Sequence, residues 1–258
     1  MEHMYRSSKK NRKNATMKKK NVGVIGCGKW GLKIIKELKK ISNIKFIYNS
    51  KNNYKKYPNN IDWVFILTPD NKHYTIAKYF IEQKINVFCE KPLTIKIKQA
   101  ENLIKLSNKN KSYLYVDDIE NYKKKNVKIN DGINYITRTK KDFGSIKSLL
   151  NRLAYHDFYL LSKSIELKNI KLIKIIDKKK SLVFKILMKN KSMFHFNYDI
   201  NSDIKKHLIN QTRFNNFKNN PIKDMLMSVL YSNNNFLENN LDALKCIKLI
   251  CKIQKMIN

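Results

Sequence analysis

The sequence predicts an α/β protein, a doubly wound parallel sheet followed by a smaller α+β domain whose sheet is mostly antiparallel. Three observations carry that prediction. From Asn21 to about Asp118, short apolar runs alternate with amphipathic helical stretches, the pattern of βα units with right-handed crossovers. A glycine-rich turn separates the first run from the first helix. Between Ile170 and Tyr198, apolar runs follow one another across short turns, which implies antiparallel pairing.

The elements read in order as follows. Val22, Val24 and Ile25 form the first strand, and a helix runs from about Leu32 to Lys40 with Leu32, Ile35 and Leu38 as its buried stripe. Ile44 to Tyr48 is the second strand. Trp63 to Leu67 is the third, a continuous apolar run of the kind buried on both faces. It stops at Thr68-Pro69-Asp70, and Ile76, Ala77, Phe80 and Ile81 then mark the core face of a helix. A strand at Asn86 to Cys89, a helix at about Ile97 to Ser107 and a strand at Tyr113 to Val116 complete this half. Beyond a connector at Glu120 to Asp131, the second half has a strand at Ile133 to Thr139 and a helix at about Ser148 to Lys163. Strands at Ile170 to Ile176, Leu182 to Met188 and Met193 to Tyr198 follow, then helices at about Ile222 to Leu230 and Phe236 to Ile257. The implied organisation is a basic tail over residues 1–20, a first domain over 21–120 and a second over 121–258. The tail has few apolar side chains to bury and is expected to be disordered; Met1 and Met17 are both candidate starts.

Composition excludes several classes. No run of 18 apolar residues is present, so no membrane-spanning helix is expected, and residues 1–20 lack the apolar core of a secretory signal. The four cysteines include no CxxC pair, and Cys246 and Cys251 are poorly spaced to converge on a metal; a reducing, cytoplasmic setting without disulfides or metal is expected. The formal charge of +34 raises the question of nucleic acid. Yet of 54 basic residues only Arg6, Arg12, Arg138, Arg152 and Arg213 are arginine, and lysine is spread evenly among abundant Asn and Ile, as AT-rich coding would produce. Salt-sensitive adhesion to polyanions is expected, specific recognition is not.

Gly26-Cys27-Gly28-Lys29-Trp30-Gly31 is a GxGxxG motif in its proper context, a strand before and a helix after. Gly26 permits the tight turn, Gly28 lets main chain approach a pyrophosphate, and Gly31 allows close helix–strand packing. The helix N-terminus, with Lys29 and Trp30 in its first turn, offers N–H groups and a positive dipole end. Four of the six glycines fall between positions 23 and 31, so the turn is no accident of composition. The motif predicts a Rossmann domain that binds a nicotinamide dinucleotide. The acidic residue that would clamp a ribose 2′-OH is missing at the end of the second strand, where Asn49, Ser50 and Lys51 stand. Ser50 and Lys51 suit a 2′-phosphate, a lean towards NADP over NAD.

Thr68-Pro69-Asp70, His73, Ala77 and then Val87-Phe88-Cys89-Glu90-Lys91-Pro92 resemble the Gfo/Idh/MocA oxidoreductases, whose hallmarks are TPxxxH and a strand ending in EKP. The first half matches from Asn21 to about Asp118. Leu153-Ala154-Tyr155-His156-Asp157 resembles, more faintly, the helix carrying the family's catalytic histidine, within a shortened second domain. The resemblance implies NAD(P)-dependent hydride transfer to or from a hydroxyl or carbonyl carbon of a small polar substrate, a sugar or sugar derivative. It places Lys91 beside the nicotinamide and the reacting carbon, with Pro92 fixing its direction through a bond that is cis in relatives. It gives His156 the exchange of the hydroxyl proton, for which neutral imidazole is suited. Thr68, Pro69, His73 and Glu90 fall in the cofactor loops; His73 is expected to cap or pack its loop, and Glu90 either to bond within it or to counter nearby lysines. Asp157 is a candidate to orient His156. The family's aspartates four residues before and three after that histidine are Arg152 and Tyr159 here. That departure opens an alternative, a relative that binds dinucleotide without catalysing and serves as a sensor or partner subunit. His195 and His207 receive no role. An antiparallel sheet with one open face implies a homo-oligomer.

Overall fold

The protein is described by a computed structural model over residues 18–123, 125–140, 146–179, 181–214, 217–232 and 235–257. The basic tail before residue 18 lies outside the described residues. The first domain is built on five parallel strands, β1 (Asn21–Ile25), β2 (Asn43–Tyr48), β3 (Trp63–Ile66), β4 (Asn86–Cys89) and β5 (Leu114–Val116), in the order β2-β1-β3-β4-β5. The chain builds outward from β1 to β2, then crosses back to β3 and proceeds the other way. This leaves a crevice beyond the strand ends between β1 and β3, where doubly wound sheets hold their ligands.

Helices α1 (Lys29–Ile41), α2 (Asp70–Glu82) and α3 (Ile97–Asn110) lie where the periodicity puts them. Within α1, Ile34, Ile35 and Leu38 are buried, whereas Leu32, expected in that stripe, is 58% exposed. The buried face starts at Gly31, which packs against the Gly26 carbonyl and the Leu67 side chain, and the next residue, Leu32, turns away from it. No helix links β2 to β3; the loop over residues 49–62 instead lays Tyr54 and Tyr57 against Tyr79 and Phe80 of α2.

The second sheet comprises β6 (Ile133–Thr139), β7 (Ile170–Asp177), β8 (Ser181–Met188), β9 (Met193–Asp199), β10 (Lys206–Ile209) and β11 (Thr212–Arg213), in the order β11-β10-β6-β9-β8-β7. Only β6–β9 is parallel; the other pairs are antiparallel. Its inner face stacks Phe184, Phe196 and Tyr198 beneath Phe158. The other face leaves Ile133, Tyr135, Leu172 and Ile176 exposed. Strands β10 and β11 were not expected; with four and two residues, they are too short to show a period.

The helix expected at Ser148 to Lys163 is broken into α4 (Ile146–Leu149), a π-helical turn over Leu150–Ala154 and α5 (Tyr155–Leu160). Near the C-terminus, α6 (Pro221–Tyr231) is capped by Asn220, whose side chain accepts from the Lys223 N–H at 3.1 Å. It turns back onto the first domain, where Met225, Leu226 and Val229 pack with Val22, Val24, Ile34 and Leu38. Burial of each such side chain contributes roughly 1.5–3 kcal/mol. Helix α7 (Leu237–Ile257) covers the opposite face and touches α3, α5, β5 and β7. At its start the Asn239 amide bonds both the N–H and the C=O of Val116, which closes the edge of β5.

Candidate functional site: a glycine loop facing a lysine and a histidine

The glycine loop has the geometry its spacing predicts. Gly26 holds φ +105°, and a Cβ there would stand 2.4 Å from the Leu67 carbonyl oxygen, so the loop after β1 lies directly against the loop after β3. A Cβ on Gly31 would meet the Gly26 carbonyl at 2.5 Å. At Gly28 nothing lies within 4 Å of that direction. The first two positions are closed by the protein itself, and the middle one faces space. Helix α1 begins at this point with no side-chain cap, so the N–H groups of its first turn have no side-chain acceptor.

Lys29 is exposed on that first turn, and the half-buried Trp30 points its indole N–H at Asp117, 2.9 Å away. Ser50 and Lys51 are exposed in the turn after β2, the strand flanking β1. After β3, Thr68 is half-buried with its hydroxyl oxygen enclosed and without a hydrogen-bond partner, and Pro69 is exposed ahead of α2. The His73 ring nitrogens lie 2.8 Å from the Pro92 and Thr68 carbonyl oxygens, tying the loop after β3 to that after β4. Burial pulls this imidazole below its ordinary pKa against the pull of those two carbonyls, which fits a positioning role.

The EKP segment leads from β4 across to the second domain. Burial raises Glu90, an effect opposed by Lys91. The Lys91–Pro92 peptide bond is cis. Lys91 is 9% exposed, and its ammonium donates to the main-chain carbonyls of Arg152 at 3.1 Å and Asn151 at 3.4 Å. The next carbonyl, Leu153, accepts from Arg138 at 2.9 Å. All three belong to the π-helical turn, whose widened helix turns carbonyls toward side chains. His156 stands one turn further on, half-buried, with no hydrogen bond to its ring among the described residues. Burial lowers its pKa well below the ordinary value, reinforced by Lys91, Arg138 and Lys123, a direction that favours the neutral imidazole.

Asp157 does not reach His156. It is fully buried and faces the second sheet, where it accepts from His207 at 2.6 Å, Tyr198 at 3.0 Å and Arg138 at 3.4 Å. Neighbours along a helix point about 100° apart, which separates the two side chains. Burial alone would raise Asp157, yet Arg138 and His207 hold it below the ordinary carboxylate value. The same cluster contains Glu120, from the 3-10 turn Ile119–Lys123, which meets Lys123 at 2.7 Å and Arg138 at 3.3 Å. Thus Glu120, expected in a connector, is a buried pin between the domains. His207, which the sequence left without a role, sits on β10, beyond any periodicity. Asp117 and Asp118 were also missed. Burial, with Glu90 acting on the first and against the Tyr115 hydrogen bond on the second, lifts each to about 7. Among the described residues no group of three His, Cys, Asp or Glu side chains could hold a metal ion, and no helix is long and apolar enough to cross a membrane.

The parallel sheet with its glycine loop, followed by a sheet-and-helix domain, is a two-domain architecture whose first domain is a Rossmann fold. Residues 37–118 match the family model of the Gfo/Idh/MocA oxidoreductases, described as an oxidoreductase family with an NAD-binding Rossmann fold. No curated protein matches by sequence. Solved structures share the fold across both domains. UDP-N-acetylglucosamine 3-dehydrogenase from Acidithiobacillus ferrooxidans is 14% identical with a TM-score of 0.73, the likeness covering 93% of this chain and 98% of that one. A dehydrogenase from Clostridium difficile is 17% identical with a TM-score of 0.70, covering 93% and 100%. A putative myo-inositol dehydrogenase from Sinorhizobium meliloti is 13% identical with a TM-score of 0.68, covering 90% and 95%.

Proposed function

We propose that this oxidoreductase moves a hydride between a nicotinamide dinucleotide and a hydroxyl- or carbonyl-bearing carbon of a small polar substrate, a sugar or sugar derivative. The observation that carries the reading is Lys91, anchored by the π-turn carbonyls beside a neutral His156. The dinucleotide fits the crevice: Gly28 faces open space, α1 is uncapped, and Thr68 keeps an enclosed hydroxyl without a partner. Gly26, Gly28 and Gly31 would hold the pyrophosphate and Thr68, Pro69 and Glu90 would flank the remainder. Ser50 and Lys51 would take a 2′-phosphate, which favours NADP. When bound, the nicotinamide supplies the hydride acceptor or donor. His156 takes the hydroxyl proton on its free ring nitrogen as the alcohol is oxidised, and Lys91 stabilises the developing alkoxide. The open face of the second sheet, with Ile133, Tyr135 and Leu172 exposed, is the proposed contact between copies.

The test is fluorescence titration with NADH and NADPH, followed by turnover on a polyol and sugar panel. Binding of either cofactor below millimolar concentration is expected, NADPH the tighter, and His156→Ala should cut turnover at least about 100-fold at unchanged cofactor affinity. Absence of binding removes the dinucleotide reading.

A second reading, a dinucleotide-binding relative without catalysis, draws support from Arg152 at the position of the family's aspartate and from the engagement of Asp157 away from His156. It predicts cofactor binding with no hydride transfer to any member of the panel.

A further inference from the structure

We infer that Arg138 is a positioning residue for the proposed reaction, its guanidinium holding the π-helical turn that anchors Lys91 in one fixed relation to the helix that carries His156. This deepens the proposed function and rests on Lys91 and His156 being its working pair. Strand register builds the device. Arg138 on β6 is paired with Tyr198 on β9 and with His207 on β10, so the three stand side by side on neighbouring strands. Side chains level with one another on adjoining strands share a face of the sheet. All three reach the fully buried Asp157: Tyr198 at 3.0 Å, His207 at 2.6 Å and Arg138 at 3.4 Å. Asp157 directly follows His156, so a carboxylate gripped from three strands fixes the backbone on which the imidazole stands.

Arg138, the middle member, also reaches beyond Asp157. The nitrogen that meets that carboxylate donates to the Leu153 carbonyl at 2.9 Å, and the other terminal nitrogen donates to Glu120 at 3.3 Å. Lys91 takes the two preceding carbonyls, those of Asn151 and Arg152. Three successive carbonyls thus receive two cations, one from each domain. The Tyr155 N–H meanwhile reaches the Leu150 carbonyl, five residues back. In a regular α-helix these carbonyls would be drawn into the i to i+4 ladder, and closing that ladder by one residue would turn His156 by about 100° relative to the Lys91 anchor. Arg138 opposes the closure, and its planar fork serves acceptors on separate elements in a way the compact ammonium of a lysine does not. Its charge bears on His156 as well. After burial, the groups that depress the proton affinity of His156 are Lys91 from the loop after β4, Arg138 from β6, Lys123 from the 3-10 turn and His207 from β10. The carboxylates of the same cluster, Asp157 and Glu120, are engaged by Arg138, His207 and Lys123. Removing the Arg138 charge therefore moves His156 back up toward its ordinary value.

The experiment combines kinetics with NMR on the full chain, using whichever of glucose, myo-inositol and glucuronate is oxidised fastest. Arg138→Gln should lower the plateau kcat about tenfold or more, with NADPH affinity within about twofold, and move the acidic limb of the pH profile to higher pH. Arg138→Lys keeps the charge without the fork: the limb should return to its wild-type place while the plateau stays low. NMR titration of the His156 ring proton, assigned among the five histidines by its loss in His156→Ala, reads the charge effect without turnover. Its midpoint should be higher in Arg138→Gln than in the wild type or in Arg138→Lys. A purely structural arginine would lower the melting temperature and move neither plateau nor midpoint. A wild-type plateau in either variant, or a His156 midpoint that Arg138→Gln leaves in place, overturns the inference. Should Arg138→Gln fail to fold, the plateau of Arg138→Lys decides alone. If the wild type oxidises none of the three substrates, the catalytic reading falls by itself, and the His156 midpoint still decides for or against the hold of Arg138 on that helix.

Discussion

On the proposed function, the glycine loop offers a dinucleotide main chain, and the cleft at His156 offers a substrate side chains. The loop needs absent Cβ atoms at fixed spacing and a helix start without a cap, and both follow from a few consecutive residues. The cleft draws Lys91 from the end of β4, Arg138 from β6, and Arg152 and His156 from one irregular helix. The contrast teaches that a main-chain site resists change and announces itself, whereas a side-chain site is free to be rewritten one position at a time.

Four substitutions can break or sharpen that contrast. The largest effect is expected from Lys91→Ala, which removes the ammonium but no loop main chain: turnover should fall about 10²–10³-fold with NADPH affinity within about twofold. Equal loss of cofactor binding would show that the two sites are not separable. Next, Gly26→Ala forces a positive φ on a side chain and drives its Cβ into the Leu67 carbonyl, so a loss of roughly 3 kcal/mol in urea unfolding is expected. Smaller is Gly28→Ala, where no protein atom is met: stability should hold while NADPH binding weakens about tenfold, and retained affinity would mean that no ligand fills that space.

The smallest effect concerns pH. A carboxyl raised from 3.8 to about 7 by folding favours the folded state while protonated, so the stability contributed by Asp117 and Asp118 is full at low pH and is lost as pH rises through 7. Melting temperature should therefore decline from about pH 4 to pH 7 and level off above it, and Asp118→Asn should flatten the decline by about 2–4 °C, on the order of 1 kcal/mol. A slope unchanged in the variant would assign the effect elsewhere.

The first domain was legible because each βα unit carries its own period, so β4 is found at the residues its apolar run marks and α2 around Ile76 and Phe80. Leu32 misled because an exposed leucine fits a helical stripe as well as a buried one does. The cleft was half legible. Lys91 and His156 stand in recognisable strings, but Asp157 looked like an orienting partner only because it is adjacent in sequence, and helix geometry turns it toward His207. Glu120, Arg138 and His207 gave no signal at all, since the contacts that define them join residues up to 87 apart only after β6 and β10 have paired. The π-helical turn is likewise a tertiary product, its carbonyls taken by Lys91 and Arg138.

The return of α6 to the first sheet has a consequence for how the molecule comes into being. Val22, Ile34, Leu38 and Phe65 await Met225, Leu226 and Val229, side chains that leave the ribosome only after the whole of the second sheet. Until then, one flank of the nascent nucleotide-binding half stays greasy and wet, a surface for chaperones to hold. A fragment cut after the fifth strand would inherit that flank for good, which makes the two halves partners in folding as well as in chemistry.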